Sequence, residues 1–595
     1  MMSRLSCSLT MIGWLLLFLS NSVSAVDEIV LDTEVDYQTL KNHLLERYQP
    51  LVEQFATAES AQLKTIGPLP VKIEGAEAGA DPYRAWWSEQ ATAPLSGLSS
   101  VSEEDIAALF QRALAHSSQI KVFSDLPLIR RTTIQEAEGE FDVRGFADGR
   151  YSDIDEPVGD ELKTGGPERY LEDSNRLDVG VRKNFSPGTE VELAQRFGSF
   201  DSNSTFLNPI EQGTSRTGLA ITQPLLKGFG PRYNKTPIEL AKVDFDGSSA
   251  ELRRQLEGHL LEIARAYWGL YVERSIFLQK QRLAETTEEI YTKMEQRAEI
   301  DVQPSLLARA RSQLLAHQLD ADEARFAIFN AQSRIWALVN DAELVEANGI
   351  ELITRQNPHH TLPQESMAII LAEALQNRPE VDQSILQIQS AVLRYHRSKN
   401  ELLPDLDLYF ETYVKGLEGD YDHSGAWDES WNEGDPSYHF GLHFEFPFGN
   451  NSAEGREVRK RLEIRQLLHQ LDTAVSNILL EAQVSYREML KSHMALERRF
   501  QVMQATEQEI DALLQRIDIM LTQNQDYGTI LYQLLDAMER LNEAEIDFSA
   551  SELTYNLSLY QLERAQGVLL SKKDIAIEEV KDDGLPRYLI SVKTQ

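Results

Sequence analysis

The stretch Gly218–Gly230, GLAITQPLLKGFG, marks the change between two kinds of sequence pattern. Before it, apolar and polar residues alternate as in a β-strand, and after it a helical pattern continues with few interruptions. Proline removes a backbone donor where the strand must leave its sheet, and the glycines permit the angles of a sharp turn. The segment FEFPFGNN repeats this arrangement later in the chain. We predict two seams between strands and long helices, formed by Gln223, Pro224, Gly228, Gly230, Pro447 and Gly449.

The predicted strands are apolar on one face and polar on the other. This alternation occurs in PDLDLYFETYVK (404–415), in YHFGLHFEF (438–446) and in FDVRGFADGRY (141–151), where Phe146 is the exception. Each run has about the ten residues that a tilted transmembrane strand needs. A surface sheet of a soluble domain shows the same alternation, so strand parity alone leaves both interpretations open.

The helical runs are much longer than the strands. One extends from about Pro237 to Glu299 and another follows Gly455, with apolar residues at spacings of three and four. Some 60 to 70 residues make helices roughly 90 to 100 Å long. Each turns back at a tip, AEIDVQPSLL (298–307) or LTQNQDYGTILYQLL (521–535), into a returning helix. We therefore predict two long antiparallel helical hairpins.

Segments of the first half return in the second half in the same order. LLEIARAYWGL (260–270) resembles LLEAQVSYREM (479–489), and SLLARARSQL (305–314) resembles QLLDAMERLN (533–542). This pattern predicts a two-fold internal repeat, each copy containing a helix, strands and a helical hairpin. The predicted divisions are a signal peptide (1–25), an N-terminal extension (26–100), a first repeat (101–345), a linker (346–362), a second repeat (363–572) and a tail (573–595).

Composition and the first residues restrict the location of the protein. The 58 Lys and Arg residues against 94 Asp and Glu residues give a formal charge of −36, which argues against a nucleic-acid partner. Arg4, the apolar run Met11–Leu19 and the small residues before position 26 are typical of a cleaved secretory signal, which includes Cys7, the single cysteine. No later apolar run has the roughly 20 residues that a transmembrane helix needs.

Four motifs in a fixed order suggest a family. They are ITQPLLKGFG, ALQNRPEV, ELLPDL and YGTILYQLLDAMERLNEAE, and with the repeat they resemble the TolC-type outer-membrane efflux family over about residues 101–570. The resemblance implies a mainly α protein of the Gram-negative outer membrane. In that family a homotrimer pools its strands into one membrane β-barrel, and the helical hairpins form an α-barrel tunnel across the periplasm. We expect four or so strands per chain, which cannot close a barrel alone. Whether an extra hairpin around 177–197 joins the barrel stays open.

The resemblance also assigns a gate and a docking surface. The family closes its periplasmic end by drawing the helix tips together, and its best-known member carries two aspartates there, at positions that correspond to Gln533 and Asp536. Only the second is acidic in this sequence, so we predict a single acidic ring at Asp536, the alternative being a polar helix residue. An inner-membrane adaptor, associated with a pump, is expected to dock at the helix tips. Exposed apolar side chains at Ile300, Val302 and Leu306 would suit this use, the alternative being that they pack the hairpin turn. The tip residues are Ile300, Val302, Pro304, Leu306, Tyr527, Gly528 and Ile530.

Other candidate sites have simpler explanations. His439 and His443 share a strand face with Glu445, but i and i+4 lie about 13 Å apart in a strand, so we predict no metal site. The pair His359-His360 is interpreted as part of a solvated linker. Trp427 and Trp431 could lie at a membrane interface or anchor a loop. No catalytic constellation or cofactor motif is present, so we predict no enzyme activity.

The resemblance therefore implies a passive exit duct of a tripartite efflux or type I secretion system, in contact with outer-membrane lipid. Two alternatives stay open: a periplasmic adaptor built on a long helical hairpin, and a coiled-coil scaffold of the cell envelope. The exported substrate and the role of residues 26–100 are not indicated by any motif.

Overall fold

The structure is a computed structural model that describes residues 37–66, 83–95, 101–159, 162–299, 302–342, 351–522, 528–580 and 586–592. The predicted signal peptide and Cys7 lie outside these residues. The chain divides into two compact units. The first unit is built mainly from residues 129–247 and 386–469, and the second from residues 38–128, 248–385 and 470–595.

Helices account for most of the described chain. They are α1 (Tyr37–Ile66), α2 (Ser88–Ala91), α3 (Ile106–His116), α4 (Ser118–Glu138), α5 (Pro231–Asn234), α6 (Thr236–Gln296), α7 (Pro304–Val339), α8 (Met367–Asn377), α9 (Pro379–Asn400), α10 (His423–Asn432), α11 (Asn451–Thr522), α12 (Gly528–Ala565) and α13 (Leu569–Lys572). The strands are β1 (Val101–Glu104), β2 (Val143–Pro157), β3 (Arg169–Asn184), β4 (Glu190–Ser202), β5 (Gln212–Pro224), β6 (Glu351–Thr354), β7 (Asp405–Gly419), β8 (Ser437–Glu445), β9 (Ile575–Val580) and β10 (Arg587–Val592).

Six strands of the first unit form one antiparallel sheet in the order β2-β3-β4-β5-β7-β8. The hairpin of β3 and β4 lies inside this sheet, so the chain contributes six strands and the expectation of about four is wrong. The turn between β3 and β4 is tight because Gly188 adopts a φ of 93° and its N–H donates to the carbonyl of Phe185 at 2.8 Å. Within the described residues, β2 and β8 are edge strands with one free side each.

The predicted helical periodicity coincides with burial. α6 has 61 residues and α11 has 72 residues, as the long apolar pattern indicates. The apolar side chains at spacings of three and four are all buried, because one stripe of each helix packs inward. In α6 they are Leu252, Leu256, Leu260, Ile263, Tyr267 and Leu270, and in α11 they are Ile464, Leu468, Leu471, Val475, Ile478 and Ala482.

Two small sheets complete the second unit. β1 pairs in parallel with β6, in the register Val101 to Glu351, although the two strands are about 250 residues apart in the sequence. β9 and β10 form an antiparallel hairpin in the predicted tail. The first helix after β1 is capped by Asp105, whose carboxylate accepts from the N–H of Ala108 at 2.6 Å.

Residues 83–95 of the N-terminal extension, here called the strap, pack against the helices of the second unit, to which they belong. Trp87 is fully buried, and the Trp86 indole donates to Glu545 at 2.7 Å. The guanidinium of Arg274, also fully buried, donates to the carbonyl of Ala91 at 2.6 Å and to Glu351 at 2.7 Å. The strap therefore satisfies polar groups of the helices that would otherwise be buried without partners.

The segment containing His359 and His360 also differs from its prediction. The backbone N–H of His359 donates to Asn556 at 2.8 Å, and the His360 ring contacts the Glu552 carboxylate at 3.0 Å. The side chain of His360 is 6% exposed. The interpretation as part of a solvated linker is therefore wrong for His360, whereas His359 is exposed although its backbone binds α12.

The buried carboxyl group of Glu545, which accepts a hydrogen bond from Trp86 of the strap, makes the free energy of unfolding dependent on pH. Burial raises the pKa of Glu545 to about 7, although Trp86 and the nearby Arg282 favour its charged form. A carboxyl with a raised native pKa holds its proton longer in the folded state, so stability decreases as pH rises from about 4.5 to about 7. Glu545→Gln still accepts a hydrogen bond from Trp86 but does not titrate. We expect the free energy of unfolding of this variant, relative to that of the native protein, to increase by about 1–3 kcal/mol as the pH rises from about 4.5 to about 7. Denaturant unfolding at both pH values measures the difference, and a constant gap would contradict the prediction.

Candidate functional site

The strand register divides the six-stranded sheet into two faces. Residues directly opposite each other in an antiparallel ladder point to the same side, so the pairing assigns every position. One side, the apolar face, includes Val143, Ala147, Leu177, Val179, Val181, Leu193, Leu219, Ile221, Leu406, Leu408, Phe410, Phe440, Leu442 and Phe444. The other side is the charged face. The parity predicted for β7 and β8 is confirmed by their register.

The apolar face is exposed in the chain by itself. Leu442 is 61% exposed and Phe444 is 62% exposed, and Leu193 in the middle of the sheet is 48% exposed. Soluble monomers rarely leave so large a contiguous apolar surface uncovered. On β2 the apolar positions extend over nine residues, from Val143 to Tyr151, which matches the length of a tilted transmembrane strand.

Ion pairs between neighbouring strands cover the charged face. Arg182 of β3 pairs with Glu192 of β4 at 2.6 Å, and Arg216 of β5 pairs with Glu411 of β7 at 2.6 Å. The Arg216 guanidinium also stacks on Tyr413, 3.7 Å from the ring centre. Opposite charges on adjacent strands stabilise the pairing and keep this side of the sheet hydrated.

Phe146, the exception in the predicted alternation, belongs to the charged face. Its ring lies over Gly180 of β3, where a Cβ would approach the ring to 2.6 Å. The guanidinium of Arg182 lies 5.5 Å from the centre of the same ring. The aromatic ring therefore fills the space above a glycine and supports a cation, rather than interrupting the polar surface.

The seam residues adopt the turns that end the strands. Gly228 and Gly230 have φ values of 81° and 101°, which disfavour other residues. Asn400 accepts from the N–H of Gly228 at 2.7 Å, and Asn234 donates to the carbonyl of Gly228 at 2.9 Å. The Gln223 side chain donates to the carbonyl of Pro224 at 2.7 Å. Sequence reasoning missed both asparagines; Asn234 follows Gly228 by 6 residues, whereas Asn400 is 172 positions away.

The second seam is simpler. β8 ends two residues before Pro447, and Gly449 has a φ of 93°. Asn450 donates to the carbonyl of Leu402 at 3.1 Å, which ties the start of α11 to the turn that follows α9. The side chain of Phe448, between Pro447 and Gly449, is 98% exposed.

The predicted gate residues lie on the exposed side of α12. Gln533 and Asp536 are both exposed. Asp536 forms an ion pair with Arg540 one turn later, and Arg540 also pairs with Glu509 of α11 at 2.7 Å. Sequence reasoning missed Arg540, although an acid followed by a base four residues later is a recognised helical pair. The acidic position is therefore part of a small network of mixed charge.

The helix tips differ from the prediction of exposed apolar residues. Val302 and Ile530 are 5% and 6% exposed and belong to one apolar cluster with Met294, Leu534 and Leu535. The prediction of Val302 as an exposed side chain is therefore wrong, and its alternative role of packing the hairpin turn is confirmed. The two ends of a hairpin must bury some side chains to hold the turn together. Pro304 is exposed at the start of α7, Leu306 is partly buried, and Gly528 begins α12. Ile300 and Tyr527 lie outside the described residues.

The histidine and glutamate of β8 do not assemble a metal site. His439 stacks on Tyr413 with the ring centres 5.6 Å apart, while His443 lies 3.8 Å from Glu445. Across the described ranges, no three His, Cys, Asp or Glu residues are arranged to hold an ion.

Among the described helices, none combines the length and hydropathy needed to cross a bilayer.

Comparison with solved structures identifies a class of fold. The outer-membrane channel CmeC of Campylobacter jejuni superposes with a TM-score of 0.55 at 14% identity, over 84% of this chain and 94% of that chain. The MtrE outer-membrane channel of Neisseria gonorrhoeae gives 0.54 at 15% identity, over 84% and 98%. The outer-membrane protein VceC of Vibrio cholerae gives 0.55 at 12% identity, over 78% and 96%.

The fold is thus that of outer-membrane channels. More particularly, the resemblance to the TolC type that the sequence motifs indicate is confirmed at the level of the fold. No family model and no curated protein matches the sequence.

Proposed function

We propose that the protein is a passive exit duct of the outer membrane, which lets solutes leave the periplasm without chemistry of its own. The observation that carries this proposal is the two-faced sheet. Its apolar face is exposed over the length of a transmembrane strand, and its opposite face carries cross-strand ion pairs. A bilayer on one side and water on the other account for both faces.

The open edges of the sheet support assembly from several chains. β2 and β8 each leave one side without a strand partner within the described residues, and free edges in a membrane must be paired. The resemblance implies a homotrimer, and three copies of six strands make an eighteen-stranded barrel. Barrels of about 16–18 strands enclose an aqueous channel. The proposed barrel is therefore wide enough to conduct solutes.

The helices also carry surface for a second copy of the chain. On α7, four large apolar side chains lie on one side at spacings of four, seven and three residues. They are Leu315, Leu319, Phe326 and Phe329, each at least 47% exposed. Such a stripe is typical of a helix that packs against another helix. We propose that neighbouring protomers cover it and so close the α-barrel tunnel.

The alternatives explain fewer observations. A periplasmic adaptor or a coiled-coil scaffold of the cell envelope accounts for the long helices. Neither gives a reason for Leu193, Leu442 and Phe444 to be exposed on one side of a sheet whose other side is charged. The proposal therefore places this sheet in the outer membrane and the helical part in the periplasm.

We propose further that an inner-membrane adaptor docks at the helix tips and that an associated pump supplies the energy. This part rests on the resemblance. Pro304 offers an exposed position there, while Val302 and Ile530 support the tip from inside. The system, tripartite efflux or type I secretion, is set by the partner pump.

The charge network near Asp536 is proposed to control ion passage at the narrow end. If it lines the pathway, Arg540→Ala frees Asp536 and Glu509 and raises the cation-to-anion permeability ratio, by about threefold or more. Asp536→Asn leaves the charge of Arg540 in place and lowers the ratio. Reversal potentials in a salt gradient measure both variants. Unchanged ratios in both would place the network outside the pathway.

Membrane extraction tests the proposed location. We expect the protein to stay with the outer-membrane fraction in a density gradient and to resist washing with alkaline carbonate, as an integral protein does. A periplasmic adaptor without an anchor, or a scaffold, is released by the same wash. Recovery of the folded protein in the wash would contradict the proposal.

A further inference from the structure

Helix α10, between β7 and β8, lies directly on the apolar face of the sheet. Gly213 pairs with Glu418, and Gly416 pairs with Ser215, so both glycines point to the same side as Phe410. A Cβ on Gly416 would lie 1.9 Å from the carbonyl oxygen of Ala426. Only glycine allows the helix to come so close. Ala426, which is fully buried, and Ser430, which is 3% exposed, form the underside of the helix.

The adjacent flank of α10 presents two tryptophans. Trp427 and Trp431 are 37% and 57% exposed, with ring centres 6.0 Å apart. The Trp427 ring lies 6.1 Å from that of Phe197 on the apolar face of β4. Tryptophan is enriched at the boundary between hydrocarbon and water. Nothing in the proposed duct uses these two side chains.

The helix lies where the apolar face ends. Towards the seams, this face carries Val179, Val181 and Leu193. In the other direction, the same face carries Asp173 and Asp201, directly opposite each other. The transition from aliphatic to acidic side chains occurs at the level of Phe197, next to α10. That level corresponds to a membrane–water interface if the apolar face contacts lipid.

A cavity of about 670 Å³ opens beside α10 on strands β2 to β4. Of its lining residues, Gly149, Tyr151, Leu177 and Phe197 belong to the apolar face by register. Arg150 and Arg176 also border it, but they are opposite each other on the charged face, so their side chains point away. His423 closes one end, with its Nε2 3.2 Å from the hydroxyl of Ser199. On this face the wall thus offers mainly apolar and aromatic surface, with Asn175, Ser199 and His423 as its polar side chains and no charged side chain.

We propose that this cavity and α10 form a lipid-binding site on the outside of the sheet, in which an acyl chain of a membrane lipid occupies the cavity. Trp427 and Trp431 then lie at the level of the lipid headgroups. An acyl chain is favoured over a polar ligand because the cavity is continuous with the apolar face and no charged group points into it. The inference rests on the proposed membrane location of the sheet.

The test uses fluorescence quenching in liposomes that contain lipids brominated along their acyl chains. Bromine quenches tryptophan at short range, so a chain in the cavity quenches Trp427. Gly149→Leu fills the cavity, since a Cβ there meets nothing within 4 Å. Gly145→Leu is the matched control on the same strand and face, with its nearest contact, the carbonyl of Gly180, at 3.9 Å. We expect Gly149→Leu to reduce the quenching by about half and Gly145→Leu to leave it unchanged.

The double variant Trp427→Phe and Trp431→Phe identifies the source of the signal. It should remove most of the quenching by brominated lipid, because the other tryptophans of the described chain are Trp86, Trp87, Trp268 and Trp336, all outside the sheet. If brominated lipid quenches the double variant as strongly as the native protein, the inference is overturned. Equal quenching of the two leucine variants would also overturn it. Failure of all variants to enter liposomes would instead contradict the proposed function.

Discussion

Leu442→Arg is expected to prevent assembly in the outer membrane, whereas His443→Arg should assemble as the native protein does. The two residues are neighbours on β8, so their backbone environments are nearly the same. Leu442 points from the apolar face, while His443 points from the charged face opposite Asp407. An arginine facing hydrocarbon costs about 2–4 kcal/mol at the bilayer midplane, and every protomer adds this cost.

The amount of protein that resists carbonate extraction measures this effect. We expect a loss of about tenfold or more for Leu442→Arg, since 1.4 kcal/mol already corresponds to a factor of ten. The His443→Arg control excludes a general effect of added positive charge or of a changed edge strand. Equal levels of the two variants in the membrane would show that the apolar face does not contact lipid.

Arg274→Met is expected to lower the free energy of unfolding of the second unit by about 3–5 kcal/mol, the largest loss that we expect there. Arg274 is fully buried and donates to the carbonyls of Ala91 and Ala93 and to the carboxylate of Glu351. Its removal takes away the guanidinium that pairs with the carboxylate of Glu351, which is 5% exposed. It also removes two of the hydrogen bonds that hold the strap of residues 83–95.

The unfolding midpoint and the rate of proteolysis within the strap test this prediction together. Arg282→Met is the matched control, because Arg282 stacks on Trp86 at 4.6 Å with a side chain that is 52% exposed. Exposed contacts of this kind contribute about 0.5–1 kcal/mol. We expect early cleavage in the strap of Arg274→Met only. Similar midpoints and cleavage rates for the two variants would contradict the assignment of Arg274 as the buried anchor.

The long helices could be predicted from sequence because their stabilising contacts follow a simple period. Leu256, Leu260 and Ile263 recur at spacings of four and three, and burial of one stripe suffices to define the helix. The seams could be predicted for a similar reason, since the strand exit needs proline and glycine at fixed positions. In both cases the information lies within a few consecutive residues.

The number of strands could not be predicted in the same way. The segment that forms β3 carries Asp178 and Arg182, which make ion pairs with β4 on the charged face, and Arg176, which pairs with Asp178 on its own strand. In the sequence, such residues suit a solvent-exposed hairpin equally well. Their place in the sheet depends on pairing with β2 and β4, which a single segment does not reveal.

The position of α10 depends on residues that are far apart. The segment HSGAWDESWN has no strong period of its own, and the approach of the helix requires glycines at Gly213 and Gly416, about 200 positions apart. The position of the strap could not be predicted for the same reason, because Ala91 and Arg274 meet only in the folded chain. At the tips, Val302 was predicted to be exposed, but it is buried in one apolar cluster that includes Met294 of the first hairpin and Ile530 of the second.

The central claim is that the assembled protein conducts solutes across a bilayer. Single-channel recording of the detergent-purified protein in a planar lipid bilayer tests it most directly. The proposed eighteen-stranded assembly predicts stable unitary conductance steps whose ion selectivity changes in Arg540→Ala. Protein that is folded and inserted in the bilayer, yet gives no steps in the native form or in the Arg540→Ala variant, would contradict the account.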